Sequence, residues 1–316
     1  MNVLIWHVHG SWTTAFLQGP HTCLLPVTPD RGPDGLGRAR TWRWPDSAVE
    51  VPLERLRDHD VDVAILQRPH EEELVRRFLG RRVPLVYLEH DAPWDRVPLT
   101  RHPVADRRDV LLVHVTHFNS LFWDGGSTEQ RVVEHAVVDP GPLWTGELAR
   151  VGVVVNEPLR RGRHVGTDLL AELTGGLPVD VFGMKVQELP AALGLPGMRA
   201  YEDLPQQRMH ALLAARRVYL HPFRWTSLGL SLIEAMYLGM PVVALATTEV
   251  VEAVPPGAGV VSTRLETLAE AVRVLVCDQG EAAALGKAAR EAALERYGLG
   301  RFLADWDRVL LEAVAR

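Results

Sequence analysis

Short apolar runs alternate with helical patterns along the whole chain. The apolar runs lie at residues 3–6, 61–66, 84–88, 110–115, 151–155, 179–182, 218–220 and 241–245. Such runs are typical of strands that are buried on both faces of a parallel sheet. Helical spacing appears between them, at residues 71–79, 165–173, 205–215 and 265–276. The alternation predicts an α/β fold of doubly wound sheets, in which ligands bind at the carboxyl ends of the strands.

The pattern is interrupted at residues 138–146, where Pro and Gly precede a new apolar run. We interpret this segment as a linker between an N-terminal domain at 1–140 and a second domain at 147–298. A long surface loop within one domain is the alternative. The last segment has helical spacing, with Phe302, Trp306 and Leu310 on one face. It therefore predicts an amphipathic helix at 299–316 that packs on another part of the protein.

Composition narrows the class of protein. The chain has 316 residues, of which 47% are hydrophobic and 23% charged, which is ordinary for a globular protein. A formal charge of −6 argues against a protein built around a nucleic-acid backbone, so we expect no nucleic-acid partner. The only cysteines, Cys23 and Cys277, are far apart in sequence and indicate neither a disulfide framework nor a zinc site. No apolar run approaches the roughly 20 residues of a transmembrane segment. We therefore expect a soluble, cytoplasmic protein.

The most specific pattern lies at residues 221–253, HPFRWTSLGLSLIEAMYLGMPVVALATTEVVEA. It predicts a loop, a helix that ends at Gly239, and a buried strand. Gly229 near the helix entrance lets a ligand approach free backbone N–H groups, which is typical of an anion site. Glu234, inside the helix, can accept two hydrogen bonds from hydroxyl groups. An ordinary buried helix, whose carboxylate is satisfied by a neighbouring N–H, is the alternative.

The run EAMYLGMPVVA, from Glu234 to Ala244, resembles the donor-site signature of GT-B glycosyltransferases of the family 4 type, the retaining enzymes of glycosyl transferases group 1. The resemblance implies the GT-B fold, with two Rossmann-like domains that face a cleft and a last helix that crosses back to the N-terminal domain. It implies an acceptor-side domain at 1–140 with 299–316, and a domain at 147–298 that binds the nucleotide-sugar donor.

The same resemblance assigns roles within the entrance of the helix. Glu234 would bind the nucleotide ribose, and the donor diphosphate would be held by the backbone amides of Leu228, Gly229 and Leu230. The signature begins with a first Glu that touches the transferred sugar, and Thr226 stands at that position. Thr226 and Ser227 are accordingly the predicted donor-sugar residues.

A basic loop follows the first strand of the second domain. The family places an Arg and, five residues later, a Lys on this loop to neutralise the donor phosphates. Arg160 matches the first, Val165 stands at the second, and Arg163 is the best substitute for the missing Lys. Arg224 is a further candidate, and a solvated basic turn is the alternative. Gly183, at the end of the strand at 179–182, matches the Gly that the family has near the nucleobase.

Two positions in the N-terminal domain match the family's layout. Gly10 lies in a loop after the first strand, where a family Gly faces the donor diphosphate or the acceptor; a plain turn with Ser11 or Thr13 as N-cap is the alternative. His90 follows a buried strand and matches a family His that contacts the donor sugar, so it is the predicted catalytic residue. A structural hydrogen bond is the alternative for His90.

An irregular segment at residues 38–44, RARTWRW, mixes cations with large aromatic residues. Such a mixture is typical of a loop that binds an acceptor or touches a membrane surface. A surface loop pinned by its aromatic residues is the alternative.

Taken together, the residues and the resemblance predict a retaining glycosyltransferase. It would move a sugar from a nucleotide-diphosphate sugar to a small-molecule or glycan acceptor, without a metal or a further cofactor, since basic residues and a helix dipole offset the leaving charge. A sugar-nucleotide epimerase or hydrolase of the same fold, with His90 and Asp91 as acid and base, is one alternative. A non-catalytic protein that binds a sugar nucleotide is another, because Thr226 and Val165 replace polar residues of the family.

Overall fold

The computed structural model describes residues 1–195 and 197–316 and divides the chain into two compact units. Unit 1 comprises Met1–Val138 together with Leu299–Arg316, and unit 2 comprises Asp139–Gly298. The division between the units thus lies at the start of the segment that interrupts the hydrophobic pattern.

Unit 1 is built on a 7-stranded sheet with the order β3-β2-β1-β4-β5-β6-β7. All neighbouring strands are parallel. The strands are β1 (Asn2–Ile5), β2 (Thr22–Val27), β3 (Ala48–Pro52), β4 (Val63–Leu66), β5 (Leu85–Glu89), β6 (Val110–His114) and β7 (Gln130–Val132). The connections contain helices α1 (Gly10–Phe16), α2 (Glu71–Leu74) and α3 (His117–Phe122), a 3-10 helix at Leu53–Asp58 and a π-helical turn at Val75–Leu79. The strand order reverses beside β1, which is where such sheets bind ligands.

Unit 2 is built on a 6-stranded parallel sheet with the order β10-β9-β8-β11-β12-β13. Its strands are β8 (Leu148–Val154), β9 (Val179–Gly183), β10 (Arg199–Glu202), β11 (Arg216–His221), β12 (Val242–Leu245) and β13 (Val260–Ser262). Its helices are α4 (Pro158–Arg161), α5 (Leu170–Thr174), α6 (Leu189–Leu193), α7 (Gln206–Ala214), α8 (Leu230–Leu238), α9 (Val250–Ala253), α10 (Leu265–Cys277) and α11 (Gln279–Arg296), with short 3-10 helices at Gly162–Val165 and Thr167–Leu169. Here the order reverses between β8 and β11.

The last helix, α12 (Leu299–Val314), belongs to unit 1. The indole of Trp306 packs edge-on against Trp12 and Phe16, with 5.3 Å between ring centroids in each pair. The guanidinium of Arg301 donates hydrogen bonds to the backbone carbonyls of Glu134 and His135, at 3.1 and 2.7 Å. The predicted return of the last helix to the N-terminal domain is therefore confirmed.

Each apolar run that predicted a strand corresponds to a strand of one of the two sheets, and the predicted α/β fold of doubly wound parallel sheets is confirmed. Strands β2, β3, β7, β10 and β13 and the long helix α11 were not predicted. Among the helices of the described part of the chain, none has the length and apolar character needed to cross a membrane.

Candidate functional site

The N-terminus of α8 lies at the carboxyl edge of the unit 2 sheet, after a segment that we name the entrance loop (residues 222–229). Gly229 is the N-cap residue and has an extended backbone. The N-cap glycine has no side chain that could cap α8, and the first turn of the helix carries no acidic residue. The N–H groups and the helix dipole therefore present a site of positive potential, which suits a phosphate.

A buried imidazole lies directly against Gly229. A Cβ atom at this glycine would lie 2.5 Å from Cε1 of His221, so the position does not accept a larger residue without a shift. Nδ1 of His221 is 3.3 Å from the hydroxyl of Tyr219, which is 2.9 Å from Oγ of Ser231 in the first turn of α8. Burial lowers the pKa of His221 to about 3, so the ring is neutral at pH 7. No sequence pattern pointed to this group, although period-two alternation along β11 places Tyr219 and His221 on one face of the sheet.

The entrance loop is joined to a second segment, which we name the basic loop (residues 156–166). The carbonyl of His164 accepts hydrogen bonds from the backbone N–H groups of Arg224 and Trp225, at 2.8 and 3.1 Å. Two parts of the predicted donor site, far apart in sequence, are therefore adjacent in unit 2. Backbone hydrogen bonds of this kind hold one loop in position relative to the other.

The side chains of Arg163 and Arg224 both pair with the carboxylate of Asp168 beside these loops. Nη1 of Arg163 lies 3.0 Å from Oδ2 of Asp168, and Nη2 of Arg224 lies 2.9 Å from the same oxygen. The guanidinium of Arg224 is the main cause of a lowered pKa at Asp168. Two cations against one anion leave a net positive charge next to the entrance loop. Arg163 and Arg224 are therefore well placed to pair with a phosphate.

Arg160, the residue that matches the family's phosphate-binding Arg, makes different contacts. Its Nε lies 2.9 Å from Oε2 of Glu157, and Nζ of Lys185 lies 2.5 Å from Oε1 of the same carboxylate. Arg160 and then Lys185 lower the pKa of Glu157 to about 2. These residues line a cavity of about 390 Å³ together with Leu159, Gln187, Glu188 and Glu202. Val165, where the family has Lys, is buried in the core of unit 2.

Glu234 is buried on α8, and its carboxylate reaches the neighbouring helix α7. Nε2 of Gln206 donates a hydrogen bond of 3.0 Å to Oε1 of Glu234. Nε2 of His210 lies 3.3 Å from Oε2. Gln206 and His210 are four residues apart and share one face of α7, as helical spacing requires. They were not among the predicted site residues, because nothing local in the sequence joins α7 to α8.

The remaining predicted donor-site residues lie along the same edge of unit 2. Leu228 and Ser227 are buried in the entrance loop, and Thr226 before them is half-buried. The carbonyl of Ser227 accepts a hydrogen bond of 3.4 Å from the N–H of Glu249. Gly183 ends β9 with φ +140°, and a Cβ there would overlap the carbonyl of Val155. Their assignments to the sugar, diphosphate and nucleobase stay predictions.

In unit 1, His90 is buried at the end of β5 in a cluster of aromatic rings. Its ring centroid lies 4.0 Å from that of His9 and 5.4 Å from that of Trp12. Nε2 of His90 lies 2.9 Å from Oε1 of Gln67, whose Nε2 in turn donates to the carbonyl of Trp6 at 2.7 Å. Because Oε1 can only accept, Nε2 of His90 carries the proton and Nδ1 is the basic nitrogen. Burial, reinforced by His9 and His135, holds the pKa of His90 well below its usual range, so the ring is neutral.

Gly10 opens α1 and is covered by an indole. A Cβ at Gly10 would lie 2.6 Å from two ring carbons of Trp42, so the close approach that this glycine permits is used by Trp42. The N-cap of α1 is His9, without a side-chain cap from the described residues. The interpretation of Ser11 or Thr13 as N-cap is therefore wrong, since both lie inside the helix. The predicted contact of Gly10 with a diphosphate stays a prediction.

The segment at 38–44 is held by its own aromatic and cationic side chains. Nη1 of Arg38 donates to the carbonyl of Pro45 at 2.9 Å, and Arg38 also bonds the carbonyls of Trp44 and Ala48. Nε1 of Trp44 donates to Oγ1 of Thr14 at 2.8 Å. These contacts fit the interpretation of a surface loop pinned by its aromatic residues. In the part of the chain that is described, no group of three or more His, Cys, Asp or Glu residues is arranged to hold a metal ion.

Known proteins resemble this chain in part of its sequence and in its fold. Residues 185–292, which include α7, the entrance loop and α8, match the family described as glycosyl transferases group 1. No curated protein matches the chain.

Solved structures share the fold at low sequence identity. Sucrose-phosphate synthase from Thermosynechococcus elongatus is 13% identical with a TM-score of 0.72, and the match covers 99% of each chain. HepE from Anabaena, in complex with UDP-glucose, is 16% identical with a TM-score of 0.71 over 99% of this chain and 100% of that one. WaaG, a glycosyltransferase involved in lipopolysaccharide biosynthesis, is 14% identical with a TM-score of 0.68 over 98% of this chain and 99% of that one. The protein thus has the GT-B fold, and its residues 185–292 match the family described as glycosyl transferases group 1.

Proposed function

We propose that this protein transfers a sugar from a nucleotide-diphosphate sugar to an acceptor hydroxyl, with retention of the anomeric configuration. The observation that carries the proposal is the entrance of α8, where a glycine N-cap, the backbone N–H groups of the first turn and the buried carboxylate of Glu234 follow one another. The family match covers this segment. A diphosphate fits the helix entrance, and a ribose fits a carboxylate that accepts hydrogen bonds from hydroxyl groups.

Stabilisation of the leaving diphosphate is the main catalytic effect in this proposal. The bond between the anomeric carbon and the phosphate oxygen breaks, and its electron pair stays on the diphosphate. The dipole of α8 and the guanidinium groups of Arg163 and Arg224 offset the new charge. The acceptor oxygen attacks from the same face, and its proton passes to the departing phosphate oxygen. The proposed reaction needs no metal, because these groups supply the positive charge.

His90 is proposed to act as a neutral hydrogen-bonding group toward the sugar. Gln67 accepts from its Nε2–H and holds the orientation of the ring, whose neutral form can exchange hydrogen bonds with sugar hydroxyl groups. Sugars carry many hydroxyl groups and no charge at most positions, so a neutral imidazole suits them better than a cation would. The acceptor is proposed to be a small molecule or a glycan that contacts unit 1.

Uridine diphosphate sugars are the first donors to test. HepE was solved with UDP and with UDP-glucose, and a TarM structure contains UDP. For this chain, these neighbours and its own helix entrance support the choice of donor. GDP-, ADP- and dTDP-sugars complete the set, because the cavity beside Arg160 does not by itself select a base.

The test is a thermal-shift screen of these donors, followed by a turnover assay. Binding stabilises a protein by about 2.7 kcal/mol when the ligand is at 100 times its Kd, so one nucleotide should raise Tm by several degrees. The bound donor is then incubated with candidate acceptors, with and without EDTA, and the anomer of the product is read by NMR. We expect an α-linked product from an α-linked donor, at the same rate with EDTA.

Other outcomes would point elsewhere. An epimer or free sugar formed from the donor alone would indicate an epimerase or a hydrolase. Nucleotide binding without turnover of any donor would indicate a non-catalytic binding protein. A rate that EDTA abolishes and Mg²⁺ restores would contradict the metal-free mechanism.

A further inference from the structure

The imidazole of His221 occupies an unusual position at the end of the central strand β11. The side chain is fully buried, and Phe223 stacks on it with 4.2 Å between ring centroids. Nε2 would lie 3.1 Å from a Cβ atom at Gly229, so one edge of the ring fills the space that a side chain at 229 would take. Because Gly229 is the N-cap of α8, this edge of His221 faces the helix entrance.

The two ring nitrogens of His221 differ in their surroundings. Nδ1 is 3.3 Å from the hydroxyl of Tyr219, which also contacts Oγ of Ser231 at 2.9 Å. Nε2 has no hydrogen-bond partner among the described residues, although it is buried. A buried polar group without a partner destabilises the folded state, so folded proteins rarely keep one without a reason. A ligand held at the entrance of α8 would supply the missing partner.

The hydroxyl groups of Tyr219 and Ser231 determine which ring nitrogen of His221 carries the proton. If Ser231 donates to Tyr219 and Tyr219 donates to Nδ1, then Nε2 carries the proton and is a donor. If the chain runs in the reverse direction, as the hydrogen bond from Tyr219 to Ser231 in the structure has it, Nε2 is an acceptor instead. An anion at the helix entrance accepts hydrogen bonds, so it selects the first arrangement. The neutral ring then donates to the anion without a full positive charge being placed in the core.

We propose that His221 is a positioning residue for the donor diphosphate, which presents Nε2–H to a phosphate group at the entrance of α8 while Tyr219 and Ser231 hold Nδ1 in its unprotonated form. The proposal rests on the proposed function and deepens it, since it adds a buried side chain to the backbone amides that bind the anion. The ligand class is a diphosphate or pyrophosphate group. Gly229 is then required twice, for the approach of the ligand and for the space that the imidazole occupies.

The first experiment observes the two ring nitrogens of His221 by NMR in the wild-type protein. Histidine labelled with ¹⁵N is introduced, and the His221 signals are assigned from the spectrum of His221→Phe. UDP and, separately, inorganic pyrophosphate are then added. We expect the Nε2 signal of His221 to move to the protonated range and Nδ1 to the unprotonated range. Unchanged His221 signals at saturating UDP would overturn the proposal.

The second experiment measures the Kd for UDP in variants. His221→Phe keeps a ring that can stack on Phe223 but removes both nitrogens, and we expect its Kd to rise about tenfold or more, the effect of one lost hydrogen bond to a charged group. Tyr219→Phe should give a smaller rise, because the proton position is then no longer imposed. His114→Phe is the matched control, since it removes a buried neutral imidazole from unit 1 and should leave the Kd unchanged.

The outcomes separate this inference from the proposed function. A folded His221→Phe protein with wild-type affinity for UDP would show that the ring serves packing alone. If His221→Phe does not fold, the His221 signals are assigned from the spectrum of His221→Gln instead, and the wild-type spectra still decide the question. If neither pyrophosphate nor any nucleoside diphosphate binds the wild-type protein, the proposed function fails and this inference fails with it.

Discussion

At the scale of single residues, burial separates Glu234 from the other carboxylates near the helix entrance. Glu157 and Asp168 are paired with exposed cations, whereas Glu234 is buried and contacts the polar side chains Gln206 and His210. A carboxylate has about four lone-pair sites, so it can accept hydrogen bonds in addition to that of Gln206. This environment suits the ribose that we propose Glu234 to bind.

Replacing Glu234 with Ala should therefore raise the donor KM by about 10- to 100-fold, because hydrogen bonds to a charged group contribute about 1.5–3 kcal/mol each. The measurement is steady-state kinetics with varied donor, and circular dichroism checks that the protein is folded. Glu270→Ala, which removes an exposed carboxylate from α10, is the control and should not change KM. Equal donor KM values for Glu234→Ala and the wild type would refute the ribose assignment.

The arginines give a second prediction at this scale. Arg224 lies in the entrance loop and shares Asp168 with Arg163, whereas Arg160 faces Glu157 and the cavity. We expect Arg224→Ala to raise the donor KM by at least tenfold and Arg160→Ala to raise it less, since a phosphate pairs with the nearer cation. Measuring both variants with one donor decides between them. A larger effect for Arg160→Ala would favour the role that the family resemblance assigns to it.

At the scale of elements, helix α11 packs through small residues. Its buried positions are Ala282, Gly286, Ala289 and Ala293. A Cβ atom at Gly286 would overlap the carbonyl of Gly239, which ends α8. The two helices therefore approach closely at this point, and α11 supports the helix whose other end forms the candidate site.

Gly286→Ala should lower the free energy of unfolding by about 1–3 kcal/mol, because the added methyl forces the backbones apart. Gly300→Ala on α12 is the matched control, since a Cβ there meets nothing within 4 Å. An alanine at an open helical position stabilises by up to about 1 kcal/mol relative to glycine. Urea unfolding of both variants measures the difference. A neutral or stabilising effect of Gly286→Ala would show that the α8–α11 contact relaxes freely.

The hydrophobic pattern predicted the interior strands of both sheets because such strands are buried on both faces. Apart from β2, the strands that it did not predict, β3, β7, β10 and β13, are the sheet edges. Edge strands are half-exposed, so they lack a continuous apolar run. In β2, Pro26 obscures the pattern. Helix α11 was not predicted for a related reason, since alanine and glycine on its buried face leave no strong apolar stripe.

The residues of the candidate site could likewise be predicted from the sequence only in part. The entrance loop, Gly229 and Glu234 were predicted because they form one continuous stretch of sequence with a local pattern. Gln206, His210, Tyr219 and His221 were not, because their roles arise from contacts between elements. Sequence spacing predicts which face of a helix or strand a residue shares, but the partner element is set by the packing of the whole unit.

At the scale of the whole molecule, several buried histidines are neutral. The pKa is lowered to about 4 for His114 and to about 3 for His135 and His221, and it is also lowered for His90; burial is the main cause in each case. Their folded pKa values lie below the unfolded value of about 6.5, so the unfolded chain binds more protons as the pH falls. The stability that they contribute is complete above about pH 6.5 and is lost as the pH falls towards 4 and 3.

We therefore expect each of these histidines to reduce the free energy of unfolding by up to about 1.4 kcal/mol per pH unit below 6.5. Buried Glu71 and Glu89 act in the opposite sense, because burial raises their pKa. The contribution of Glu71 and Glu89 is the same in the wild type and in a histidine variant, so it cancels when the two proteins are compared. Urea unfolding at pH 7.5 and 5.5 should show that His114→Gln loses less free energy of unfolding between the two pH values than the wild type does. Equal losses in both proteins would contradict a neutral His114 in the folded state.

The return of α12 to unit 1 bears on how the protein is made. Unit 2 is an insertion in the chain of unit 1, because the residues on both sides of it belong to the same compact unit. The indole of Trp306 covers Trp12 and Phe16, so the hydrophobic core of unit 1 is incomplete until residues 299–316 have been synthesised. On the ribosome, unit 2 can fold first, although most of unit 1 emerges before it. The part of the molecule that we expect to bind the donor would then be ready before the part that we expect to receive the acceptor.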